Sequence, residues 1–243
     1  MDGLVKFSDY DIFGYLASGL VVLALCDTTL CTHIVFDADW TVAHSAFVVI
    51  AAYMAGHIVA AGATLFFDRL FVRNVFGRPS DILMNDAPAP ESTGTWLQRF
   101  NWRKWLLSGF LEPLMPEVQR RVLARAGLAA SDGGRGEKAF WRAWPVIKRD
   151  ALPYARMESF LRLYAFCRNM SFVSFVAAIV FLFRAPSLPD VPENSWYPFW
   201  AALLVSVAMF HRYLKFFRAY SAEVFSTYAE PAESPSATPG KSD

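Results

Sequence analysis

Apolar residues along this chain gather into four long runs, separated by two short polar links and one broad mixed segment. The longest, from Trp40 to Phe67, reads WTVAHSAFVVIAAYMAGHIVAAGATLFF, 28 residues with no Asp, Glu, Lys or Arg. As a helix it would reach roughly 42 Å, beyond the ~30 Å hydrocarbon core of a bilayer. An earlier run, IFGYLASGLVVLALCDTTLC, covers about residues 12–31, and later ones cover about 164–183 and 196–211. The pattern predicts an all-α polytopic membrane protein with four transmembrane helices. The first run lacks a basic leader and a small-residue cleavage site, so it is read as a permanent span. Asp27, near its far end, is expected at the membrane interface.

Several spans continue past the bilayer. After Phe67 the second helix extends through Phe76, with Gly77 as its cap and Pro79 as its stop. The third begins at Pro153 and runs without Gly or further Pro to Arg184. Its first half, YARMESFLRLYAFCRN, is charged and its second, MSFVSFVAAIVFLF, apolar, so it enters the membrane near Tyr164. The fourth passes into HRYLKFFRAYSAEVFSTYA, where Tyr213, Phe217, Tyr220, Val224 and Tyr228 recur at helical spacing. The expected organisation is a first hairpin with its extension (residues 1–77), a helical region (78–152), a second hairpin with extensions (153–229) and a disordered Pro/Ser/Ala-rich tail (230–243). Within the helical region, WLQRFNWRKWLLSGFL reads as a surface helix and Pro116–Ala126 as a short helix. NDAPAPESTGT and SDGGRGEK read as loops, and AFWRAWPVIKRD as a helical piece broken at Pro145.

Net charge is only +1, so the balance points to no acidic partner; its distribution says more. Seventeen of the 23 basic residues lie from Arg69 to Arg168. The short links near 32–39 and 184–195 carry Arg184 against Asp37, Asp39, Asp190 and Glu193. The positive-inside rule then places both termini and the helical region in the cytoplasm, with the spans in a bacterial inner membrane. The Trp and basic residues around Trp96–Trp105 fit a membrane surface with fewer assumptions than nucleic acid, and no nucleic-acid partner is expected.

Two stripes mark the second span. Ala52, Gly56, Ala60 and Ala63 make a small-residue face that admits another helix, and Gly14 with Ser18 makes a second such pair in the first span. Beside the first stripe run Tyr53, His57, Thr64 and Asp68. An ionisable group at the depth of His57 is either pore-lining or a neutral imidazole bonded to a neighbouring helix, with Tyr53 one turn away. The second reading is favoured. A further cluster shares the cytoplasmic interface: Asp68, Arg69 and Arg73; Glu158, Arg162, Arg168 and Asn169; His211, Arg212, Lys215 and Arg218. Glu158 and Arg162 are spaced to pair along one helix, and Asp68 with Arg168 across two. Such a cluster either anchors the helices or holds an anionic lipid or nucleotide-like ligand.

Catalytic chemistry is sparse. His33, Asp37, Asp39 and His44 are metal-binding residue types, but they match no spacing rule, so no metal or other cofactor is expected. HExxH, GxSxG and the phosphate-loop order are missing from the sequence. The three cysteines, Cys26, Cys31 and Cys167, make no disulfide framework.

The segments SDYDIFGYLASGL, AGHIVAAGA with FGRPSDIL after it, and RYLKFFRAYSAEVF resemble uncharacterised bacterial four-span inner-membrane proteins, some associated with defence or stress loci. The resemblance implies membrane localisation and no particular reaction. The function expected is non-enzymatic: a self-associating membrane effector, channel-like pore or sensor, with a cytoplasmic control surface that could dock a protein partner. The alternatives are an enzyme acting on a lipid or isoprenoid through Asp68, Glu158, Arg162, Arg168 and His211, and a scaffold subunit of a membrane complex.

Overall fold

The computed structural model describes residues 11–30, 32, 35–36, 40–69, 79–85, 110, 112–129, 132–149, 151–184 and 196–230. The expectations for Cys31, His33, Asp37, Asp39, Arg73, Gly77, the Trp96–Trp105 helix, the 185–195 link and the tail lie outside them. Every regular element among the described residues is helical. A π-helical segment, Asp11–Leu16, leads into α1 (Ala17–Leu30). Helix α2 (Val42–Ala63) starts at Thr41, whose hydroxyl accepts the His44 amide, and π-helical turns continue it over residues 64–69. Three shorter helices follow: α3 (Pro79–Leu83), α4 (Pro116–Arg125) and α5 (Arg135–Ile147). Two long ones complete the chain, α6 (Ala151–Arg184) and α7 (Tyr197–Ala229). Pro153 and Pro198 sit in the first turns of these two, where a missing N–H leaves no bond unmade.

Two helices are long and apolar enough to cross a membrane, Val42–Arg69 with 28 residues and Pro153–Phe183 with 31. The apolar helix Gly14–Leu30 is shorter. The apolar part of α7, from Trp196 to Phe210, ends at His211 and Arg212 and spans roughly 22 Å. Of the four expected spans, two therefore reach across on their own length.

Close backbone approach holds the first hairpin together. A side chain at Gly19 would overlap the Ala52 carbonyl, and one at Gly56 would overlap the Tyr15 carbonyl. Only glycine lets these helices cross so near. The small-residue stripe is thus occupied within the chain: Ala52 and Ala63 are fully buried, Gly56 and Ala60 nearly so. That removes it as the surface for self-association. At the far end of α1, Asp27 is buried. It accepts bonds from the Thr32 hydroxyl and from the amides of Val35 and Phe36, so it closes the following turn. The opposite face of α2 presents Phe47, Ile50, Met54 and Ile58 outward, an apolar strip suited to lipid.

Helices α6 and α7 pack side by side, and inside their apolar half two serines exchange bonds. Ser171 Oγ donates to the Ser206 carbonyl and Ser206 Oγ to the Ser171 carbonyl, both at 2.9 Å. Beyond that half, α3, α4 and α5 close over the two helices to form a head. Its core joins Leu83, Val122, Ala139 and Ile147 to Met157, Val224 and Phe225. Gln119 Nε2 donates to the Leu83 and Leu114 carbonyls, and Arg125 Nη1 donates to the Tyr228 carbonyl at 2.9 Å. Burial, with Tyr154 nearby, pushes the Tyr220 phenol pKa upward.

Two expectations for this region change. Residues Arg135–Lys138, read as part of a loop, begin α5, after a left-handed Gly134 (φ 67°) that turns the chain into it. A side chain at Gly136 would overlap the Ser80 carbonyl, so glycine is what lets α5 lie against α3. Pro145 does not break the helix either. It falls in the last turn, where it forfeits one backbone bond and the chain is about to leave the helix anyway.

Candidate functional site

The most concentrated polar contacts lie where the membrane-like half of the bundle meets the head. Asp68 sits in the π-helical turns that end the second span. A π turn holds an extra residue and changes the direction in which the following side chains leave the helix. Thr64 Oγ1 donates to the Ala60 carbonyl at 2.7 Å just before this point, so Thr64 is satisfied on its own helix. Asp68 then reaches both long helices. Its Oδ1 accepts the hydroxyls of Tyr164 (3.0 Å) and Tyr213 (2.8 Å), and its Oδ2 accepts Arg168 Nη1 at 2.7 Å. One carboxylate thereby joins α2, α6 and α7.

The surroundings make this junction stiff. The Arg168 guanidinium lies 5.4 Å from the Tyr164 ring centre, an additional cation–π contact. The rings of Phe67, Phe210, Tyr213, Phe217 and Tyr164 pack against one another at centroid separations between 5.0 and 6.0 Å. Arg168 is buried, while a quarter of the Asp68 side chain remains exposed, so water reaches one edge of the pair. Next to Arg168, fully buried Asn169 donates Nδ2 to the Gly14 carbonyl at 2.9 Å. Adjacent residues of α6 therefore bind the segment before α1 and the segment after α2.

The other sequence-selected residues scatter. Glu158 and Arg162 pair at 3.0 Å along α6, one to three turns from Arg168 on the head side. Together with Tyr154, Tyr164 and Arg168 they line a cavity of about 390 Å³. Arg69 and Arg212 are exposed, and His211 is half-buried, so the basic residues at this level do not face one common point. His57 is on the outer side of α2, where it stacks on Tyr15 at 4.1 Å and meets Tyr53 edge-on at 4.7 Å. Its contact with the first helix is ring on ring, not the hydrogen bond expected. Ser18 is buried and donates to the Gly14 carbonyl at 2.9 Å, so this pair also serves local packing. Of the four outer residues of metal-binding type, only His44 is described, and it packs against Trp40. Among the described residues no three His, Cys, Asp or Glu side chains come together.

Tyr164 and Tyr213 are the site residues that sequence reasoning passed over. Tyr213 reads as one more apolar position of a stripe; the signal was a tyrosine on each long helix at the depth of an acid. No family model matches this chain, and neither does any curated protein or solved structure.

Proposed function

We propose that this chain is a non-enzymatic, four-span inner-membrane protein with both termini in the cytoplasm, acting as a membrane effector or sensor. In this reading the head is the control surface, and the Asp68 junction transmits its state to the membrane helices. The observation that carries it is the single carboxylate bonded at once to Arg168, Tyr164 and Tyr213. The same two long helices run uninterrupted from the head core into the apolar half, so a shift at either end must pass this point. Residues committed to each other in this way suit a mechanical coupling better than substrate turnover. Self-association is not needed for it.

The test uses full-length protein in liposomes with spin labels at Met54, exposed on α2, and Arg121, exposed on α4. Asp68→Asn is expected to broaden or shift the Met54–Arg121 distance distribution and to change ion leakage through the vesicles. A distribution and a leakage identical to those of the unsubstituted protein would sink the proposal.

A further inference from the structure

The cavity on α6 sits at a depth that the membrane reading fixes. Counting about 20 residues inward from Phe183, the length that crosses ~30 Å of hydrocarbon, puts the inner edge at Tyr164. Arg162 then lies at phosphate depth, Glu158 about one turn further into water, and Tyr154 at the outer rim. Arg168, neutralised by Asp68, forms the floor. Leu161 and Ala165 supply apolar wall on the same face.

The charge of this cavity decides what it suits. Arg168 is already paired with Asp68, which is not itself part of the lining, so Arg162 and Glu158 are the charges the cavity offers a guest, and a purely anionic one would meet Glu158 with the wrong sign. The order of charges from membrane to water is positive, then negative. A phospholipid whose phosphate is followed by an ammonium presents the opposite order. We propose that this cavity holds the head group of a zwitterionic phospholipid bearing a primary amine, with its phosphate on Arg162 and its ammonium on Glu158. Without lipid, Glu158 and Arg162 hold each other at 3.0 Å. The guest's dipole inserts between them, replacing one ion pair by two. A primary ammonium donates hydrogen bonds to the carboxylate, which a trimethylammonium cannot do.

The inference rests on the membrane orientation proposed above, and the experiment separates the two. Full-length protein is reconstituted in vesicles of equal parts phosphatidylethanolamine, phosphatidylcholine and phosphatidylglycerol, extracted in mild detergent, and its retained lipids counted by native mass spectrometry. Phosphatidylethanolamine is expected in excess over phosphatidylcholine by about tenfold, the size of one charge-assisted hydrogen bond. Glu158→Gln should erase that preference, Arg162→Gln should lower retention of both lipids, and Arg121→Gln on the exposed face of α4 should change neither. Both cavity substitutions alter half-exposed side chains, and an unchanged elution volume shows that the protein still folds. Equal retention of all three lipids, preference for phosphatidylglycerol, or a preference that survives Glu158→Gln overturns the assignment. Protein washed from vesicles by alkaline carbonate overturns the orientation itself; an integral protein without lipid preference overturns the head-group site alone.

Discussion

The two halves of the α6–α7 pair are held together by different chemistry, although the same two helices run through both. In the apolar half many of the close contacts are small or polar, among them Ala177 and Ala178, the Ser171–Ser206 exchange, and the Gly19 and Gly56 crossings of the neighbouring hairpin, with Val173 and Phe210 also inside. Large side chains there, such as Phe183 and Leu204, point outward. In the head the order inverts, with Phe225, Met157, Leu83 and Val122 inside and Arg121 and Glu117 outside. On the membrane reading proposed above, the inversion follows from the surrounding solvent. Lipid gives no hydrophobic reason for large side chains to turn inward, so close approach and interhelical bonds hold the helices. Water does give that reason, and burial of large apolar groups follows. Asp68 lies where one regime gives way to the other.

The strongest way to break the apolar half is Gly56→Leu. Its side chain would overlap backbone of Tyr15, which cannot move aside as a flexible side chain could. The first hairpin should fail to close, and folded protein recovered after mild extraction should fall to a small fraction of normal. The head core, which shares no residue with this crossing, should keep its own protease resistance. Loss of both would show that the halves are not separable.

Asp68→Asn comes next. It removes the carboxylate that buried Arg168 pairs with at 2.7 Å, which should lower stability by about 3–5 kcal/mol in a thermal unfolding scan. Asp68→Asn combined with Arg168→Met should recover much of the loss, because no charge then remains buried. If the double variant is no better than the single, the junction works through the tyrosine bonds and not the ion pair.

How much of this was legible beforehand differs between the halves in the same way. The apolar half has a one-dimensional code. The charge-free run over Trp40–Phe67 and the small-residue spacing at Ala52, Gly56, Ala60 and Ala63 show in sequence, two features that a bilayer selects for. The Asp68–Arg168 pair was legible as well, because two opposite charges at one depth on different helices have few other partners. The π turn that aims Asp68 was not, as no residue type marks it. In the head, Gly136 looked like a loop residue because glycine signals permissive backbone. Here it signals α5 lying against Ser80, a contact between segments far apart in sequence. His57 misled for a related reason: its depth was readable, but the side of the helix it faces was not.

In the head, Val122→Ala removes two methyl groups from a fully buried position between α4 and the core. A loss of about 1–2.5 kcal/mol is expected by denaturant unfolding, the range for deleting that much buried aliphatic volume. A negligible loss would mean that the head packs loosely, unlike a water-soluble domain, and the contrast with the apolar half would fail.

The smallest expected effect sharpens the comparison most. Ser171 and Ser206 each give a hydroxyl proton to the other's backbone carbonyl, in a place where no water competes. Intuition from vacuum would make such bonds strong, but helices separated in lipid find substitute partners, and bonds of this kind average about 0.6 kcal/mol. Ser171→Ala should therefore cost about 0.6 kcal/mol, and so should Ser206→Ala. The double variant should cost nearly the sum, since the two bonds use different donors and acceptors. Unfolding in mild detergent measures all three. A coupling energy well above the single losses would mean that the bonds lock the helices cooperatively, so that polar contacts rather than close packing hold the apolar half.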